Sequence, residues 1–161
     1  MNANKVVWQE GMLLRPQHLQ QNDRYFEHQI KNQVRLLHRN AWGFFDLQID
    51  PQNFKLSKIV ISRASGVLPD GSFFDLGNNR ERLMLEVPPD TGNASVYLAL
   101  PLLIGGTIEA RHPDQADVLA RFTLYDAEVS DSNAGSDSST LVSCAQPDFR
   151  LLLGEQSNHD A

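Results

Sequence analysis

Apolar residues follow two regimes along the chain, and the change falls near residue 40. In the first, residues 17–37 contain no glycine or proline. Leu19, Phe26, Ile30, Val34 and Leu37 recur there at steps of seven, four, four and three. Such steps place side chains on one side of a 3.6-residue repeat. Tyr25 and Leu36 widen the stripe, and Gln20, Asp23, Arg24, Glu27, Lys31 and Arg35 occupy the other side. The pattern predicts one long amphipathic α-helix over 16–38. Pro16 suits its first position, where a missing N–H and a fixed φ do no harm. Acidic residues toward the start and basic residues toward the end match the helix dipole.

In the second regime, short apolar runs alternate with turn residues. Strands are predicted over 44–49, 54–64, 73–76, 83–87, 96–103, 119–129, 141–145 and 149–153. Val6-Val7-Trp8 is also strand-like. Asp50-Pro51-Gln52-Asn53 ends the first strand. Leu68-Pro69-Asp70-Gly71-Ser72 is a strong turn signal, because proline presets φ and glycine accepts a positive one. Pro101, inside the 96–103 run, points to an edge position or a bulge. The polar stretch 130–139 reads as a hairpin tip. Six to nine short strands with no helix between them predict a mainly β fold, an antiparallel β-sandwich carrying one N-terminal helix. A single domain over 1–154 is expected. Residues 155–161 are then a polar tail or the start of a linker.

Composition narrows the function classes. A chain of 161 residues can bury a real core but is short for two large domains. The net charge of −6 is not that of a nucleic-acid binder, which neutralises phosphates with clustered Lys and Arg. One cysteine allows no internal disulfide and fits a reducing compartment. The opening Met1-Asn2-Ala3-Asn4-Lys5 lacks the apolar core of a signal peptide. No apolar run reaches membrane-span length, so no direct membrane insertion and a cytoplasmic location are expected.

Catalytic chemistry finds no foothold in the sequence. His18, His28 and His38 are ten residues apart, which turns them about 80° from one another on a helix. Metal ligands on a helix need steps of three or four. His112 has no second ligand near it in sequence. Cys144 lies in an apolar, strand-like context and reads as a core thiol. There is no Gly-x-Ser-x-Gly elbow, and Gly105-Gly106-Thr107 lacks the rest of a phosphate loop. Asp46, Asp50, Asp70 and Asp75 read as turn formers. No catalytic residue, cofactor or metal site is assigned.

One stretch differs. Residues 8–18 interleave large apolar side chains with polar ones, in a segment without a clear regular structure. Trp, Met and Arg are enriched where proteins meet. Trp8, Met12, Leu13, Arg15, His18 and Arg24 are the candidate partner-binding residues. The plainer alternative is that this segment packs over its own β core.

The opening Val7-Trp8-Gln9-Glu10-Gly11-Met12-Leu13-Leu14-Arg15-Pro16-Gln17-His18-Leu19-Gln20-Gln21-Asn22-Asp23-Arg24-Tyr25 resembles the start of the TssK family of type VI secretion baseplate proteins, also called ImpJ or VasE. Trp42-Gly43, Gly66-Val67-Leu68-Pro69-Asp70-Gly71, Val96-Tyr97-Leu98-Ala99-Leu100-Pro101 and Leu151-Leu152-Leu153-Gly154 are similar to later family motifs, in the same order. Leu19 and Asn22 depart from the residues usual there. The resemblance implies an N-terminal "shoulder" β-sandwich like that of phage receptor-binding proteins, followed in the family by a neck and a head. It implies trimers, wedge partners TssF and TssG, and a head that reaches the inner-membrane complex. It implies no cofactor. Trp42-Gly43 and Pro69-Asp70-Gly71 would then maintain the fold.

Two other readings compete. A phage-tail or receptor-binding shoulder predicts the same fold with another partner. A ligand-binding β-sandwich would need an aromatic concavity. Trp42, Phe44 and Phe45 are candidates for one, although core packing is the expected role of these three.

Overall fold

The structure, a computed structural model, describes residues 3–37, 42–77, 83–89, 91–133 and 138–155. It is mainly β, with one long helix and sheets that are antiparallel save for one short pairing. The chain divides into two compact units, residues 1–86 and residues 87–161.

The first unit begins with an arm and then α1, Pro16–Leu37. His38, expected to close the helix, lies outside the described residues, as does His159. Strand β1, Gly43–Ile49, pairs antiparallel with β2, Lys58–Val67. The other edge of β2 is shared. Its first half pairs with β4, Leu83–Glu86, and its last three residues with β3, Phe73–Asp75. Val60, Ile61, Ala64, Phe74 and Leu76 are buried.

Two glycines bring β1 and β2 together. Gly43 has φ +131°, which side chains rarely tolerate. A Cβ on Gly66 would collide with the Gly43 carbonyl oxygen, so the strands approach too closely for any other residue at 66. The turn after β2 forms as its residues predict. Gly71 has φ +84°, its N–H donates to the Leu68 carbonyl at 2.8 Å, and the Ser72 N–H donates to Asp70 Oδ1 at 2.9 Å.

Some boundaries move for local reasons. Residues Pro51–Leu56, partly assigned to a strand from the sequence, form a short 3-10 helix. Asp50 caps it by accepting from the Gln52 N–H at 3.0 Å, Pro51 takes an early helical position, and Ser57 closes it with φ +54°. The apolar pair Phe54 and Leu56 therefore belongs to a helical turn. Val6-Val7-Trp8 forms no strand. Of the four aspartates, Asp50, Asp70 and Asp75 satisfy turn N–H groups, whereas Asp46 sits in β1 and pairs with Arg63 at 2.9 Å.

In the second unit, β5, Ala94–Ala99, pairs antiparallel with β9, Arg150–Glu155. Strand β5 stops two residues before Pro101, so the proline lies outside it rather than within. Strand β6, Ala110–Arg111, runs parallel to the start of β7, Phe122–Ser130, and β7 forms a long hairpin with β8, Ser139–Pro147. At the corner into β9, Asp148 Oδ2 accepts from Arg111 Nε at 3.3 Å and from an Arg150 guanidinium N–H at 2.8 Å. Arg121 is buried, and its guanidinium donates to the Pro101 carbonyl at 3.0 Å. Charge is unevenly divided. Residues 1–86 hold eleven basic and nine acidic side chains, and residues 87–161 hold three basic and eleven acidic.

Candidate docking surface

The arm and α1 are built by short-range bonds. Gly11, at φ +76°, is the third residue of a tight turn closed by the Met12 N–H donating to the Gln9 carbonyl at 3.2 Å. A positive φ at that position is what a type II turn requires. Pro16 opens the helix. His18, two residues on, folds back so that its Nδ1 accepts from the Arg15 N–H at 3.1 Å, while the His18 N–H donates to the Arg15 carbonyl at 3.0 Å. This is the reciprocal half of a capping box, with histidine where Glu or Gln usually stands. Because a backbone N–H can only donate, Nδ1 must be the unprotonated ring nitrogen. Gln21 Nε2 donates to the Asn4 carbonyl at 2.8 Å, which ties the arm to the helix.

The candidate residues divide by position. Trp8, Leu13 and Arg15 are exposed, with Leu13 at 73%, while Met12, His18 and Arg24 are half-buried. For Trp8 and Leu13 the structure therefore favours presentation over packing on a core. His18 has a structural duty as the helix cap.

Sequence periodicity located the apolar stripe of α1 but not its direction. No residue of α1 is buried. Of its half-buried positions, His18, Gln21, Tyr25 and Asn32 follow one side of the helix and are polar apart from the tyrosine ring, with Asn22, Arg24, Lys31 and Val34 half-buried beside or beyond them. The apolar stripe lies elsewhere on the helix: Leu19, Phe26 at 54%, Ile30 at 60% and Leu37 are exposed, and Val34 alone of the stripe is half-buried. Glu27 and Lys31 form an i,i+4 ion pair at 3.8 Å beside it. A signal was present in the sequence, since the half-buried residues of α1 are polar or charged apart from Tyr25 and Val34.

The three aromatics expected in the core are not there. Trp42 and Phe45 are exposed, at 63% and 71%, and Phe44 is exposed but meets buried Phe74 edge-on with ring centroids 5.8 Å apart. The reason is local. Phe45 is the extra residue where the β1–β2 register shifts between Phe44 and Asp46, and a bulge residue leaves the ladder. Cys144 is half-buried. Among the described residues, no group of three or more His, Cys, Asp and Glu side chains could hold a metal ion, and no helix is long and apolar enough to cross a membrane.

Large apolar side chains held out beside guanidinium groups make a surface suited to docking another protein. The model of the bacterial type VI secretion family that includes EvfL, ImpJ and VasE matches residues 18–161. The chain belongs to this family, the TssK family of the type VI secretion baseplate.

The chain is 39% identical over 150 residues to TssK1 of Pseudomonas aeruginosa strain PAO1, a type VI secretion system baseplate component, covering 92% of this chain and 34% of that protein. A crystal structure of TssK matches with TM-score 0.88 and 33% identity, over 98% of this chain and 36% of the other. A chain of the TssK–TssF–TssG baseplate subcomplex, seen by cryo-electron microscopy, shares the fold with TM-score 0.84 at 22% identity, over 98% of this chain and 53% of that one. The chain thus spans about a third of the length of TssK1 and of the crystallised TssK.

Proposed function

We propose that residues 1–154 serve as the shoulder of a TssK-type baseplate adaptor, docking onto a TssF–TssG wedge without performing chemistry. The observation that carries this reading is the 39% identity to a baseplate component across nearly the whole chain. The likeness to a chain of the TssK–TssF–TssG subcomplex supports the choice of partners. The exposed arm and the outward stripe of α1 supply the contact area, and Arg15 and Arg24 supply charged anchors. In the adaptor, three shoulders in a trimer multiply a weak contact through effective concentration. Later segments of the adaptor reach the membrane complex, which places the assembly at the cytoplasmic side of the inner membrane. No cofactor is required.

Co-expression with TssF and TssG, followed by size exclusion with mass measurement, tests the reading. A complex that is lost on Arg15→Glu plus Arg24→Glu, with folding intact, supports it. A complex unchanged by both charge reversals removes the arm and helix from the interface. The absence of any complex at micromolar concentration rejects docking by this domain alone.

A further inference from the structure

The β7–β8 hairpin carries an open edge whose two faces differ. Two backbone bonds fix which groups the ladder uses. The Asp131 N–H donates to the Ser138 carbonyl at 2.8 Å, and the Asp148 N–H donates to the Arg121 carbonyl at 2.9 Å. Both pairs continue the register in which Tyr125 faces Cys144 and Ala127 faces Val142. Hydrogen-bonded and non-bonded pairs alternate in an antiparallel ladder, so the even-numbered residues of β8 point their backbone groups at β7. Ser139, Leu141, Ser143 and Ala145 point theirs outward. Among the described residues, β8 pairs with β7 alone. Pro147 falls in the outward class too, where its missing N–H removes no rung, as expected of an edge strand.

One face of this ribbon is uncharged and largely apolar at its centre, through Tyr125, Ala127, Val129, Val142 and Cys144, with Thr123, Thr140 and Gln146 toward its ends. The other carries Asp126, opposite Ser143, and Glu128, which accepts from Ser139 Oγ at 2.5 Å. Neither acid forms an ion pair among the described residues. Leu141, 72% exposed, lies on the same face directly opposite Glu128, and Phe122, Leu124 and Ala145 continue that face, so the open approach to an acid is the one past Ser143 to Asp126.

We propose that this edge accepts one further strand from a partner protein, an extended segment alternating basic and apolar residues. Strand addition uses the outward N–H and C=O groups for affinity and alternate side chains for specificity. A strand about 4.8 Å beyond β8 would set its basic residues on the Ser139–Ser143 face. The small serine at 143 leaves the path to Asp126 open for a Lys or Arg side chain. Its apolar residues would extend the Val142–Cys144 face. The preference for a basic partner rests on charge: residues 87–161 hold eleven acidic side chains against three basic. A second copy would bring a β8 edge that carries no charged side chain, and so offers no base to Asp126 and Glu128. This proposal stands apart from the arm and helix and survives if they play no part in docking.

The test uses the 161-residue chain with three synthetic eight-residue probes: alternating Lys-Val, alternating Glu-Val, and four lysines followed by four valines. The expected result is saturable binding of the Lys-Val probe alone, with slowed amide exchange at Leu141, Ser143 and Ala145. Ser143→Pro, which deletes an outward N–H without removing a rung to β7, should weaken binding about five- to tenfold. Asp126→Asn with Glu128→Gln should weaken it by a similar factor. Amide exchange on the unaltered chain keeps the test valid should the proline variant misfold. Three results would overturn the proposal: equal binding of the block probe, no added protection at those amides, or pairing of two copies through β8 without any probe.

Discussion

Residues 1–86 are close to charge balance and present their exposed apolar stripe on a helix, whereas residues 87–161 carry nearly four acids for every base and present a strand edge. In the proposed docking the helical surface would work mainly through side-chain area, which salt hardly weakens. The proposed edge would work through backbone groups and charge, and charge is screened beyond about 8 Å at physiological salt. Raising the salt should therefore weaken a ligand held at β8 more than one held on α1, where Arg15 and Arg24 are the proposed charged anchors. The contrast extends inward. The first unit depends on a close approach that only glycine permits, and the second on a carboxylate shared between two arginines.

Breaking each support in turn separates the two units. Gly66→Ala should have the largest effect, about 2–3 kcal/mol, because the new Cβ meets backbone rather than a side chain that can move. Amide exchange should report the loss within residues 1–86. Asp148→Ala leaves Arg111 and Arg150 without their shared acceptor and should cost about 2 kcal/mol, with lost protection within residues 87–161. If either substitution loosens only the other unit, the assignment of that support is wrong.

Smaller changes sharpen the comparison on the helix. His18→Ala should destabilise by about 1 kcal/mol in urea unfolding, and His18→Gln should restore most of it by recreating the capping box. Phe26→Glu with Ile30→Glu should shift stability by less than about 0.5 kcal/mol per site, because both side chains are already exposed, yet should abolish assembly with TssF–TssG. A large loss of stability would mean that the stripe is covered within the chain. The smallest effect belongs to Glu86. The Lys58 ammonium, 2.9 Å away, holds its carboxyl below the ordinary value of 4.5 through a hydrogen bond first and charge second. A folded-state value below the unfolded one contributes stability above the unfolded value, and that contribution fades as pH falls through the folded value. The difference in melting temperature between the parent and Glu86→Gln should be slight near neutrality and vanish in acid.

The elements legible in the sequence were those with local causes. Pro16 and the seven-four-four-three stripe located α1, and Pro69-Asp70-Gly71 located its turn. The short helix after Asp50 was missed because a capping carboxylate and Pro51 outweighed two apolar residues that looked strand-like. The parallel rung between β6 and β7 has no local signature, because it joins residues brought together only by the fold. The candidate surface was legible in part. Composition pointed to the arm, but periodicity shows only that a helix has an apolar side. It carries no information about whether the protein's own core lies against that side. The aromatic trio misled for a related reason: a bulge at Phe45 changes the facing that strict alternation would assign.

The cap at the start of α1 also decides what His18 can say to another molecule. With Nδ1 committed to the Arg15 N–H, the ring proton resides on Nε2. A partner that reaches this imidazole therefore meets a hydrogen-bond donor. It must answer with a carbonyl or carboxylate oxygen. A lysine or an amide N–H brought to the same place would find no lone pair, unless the helix first surrendered its cap.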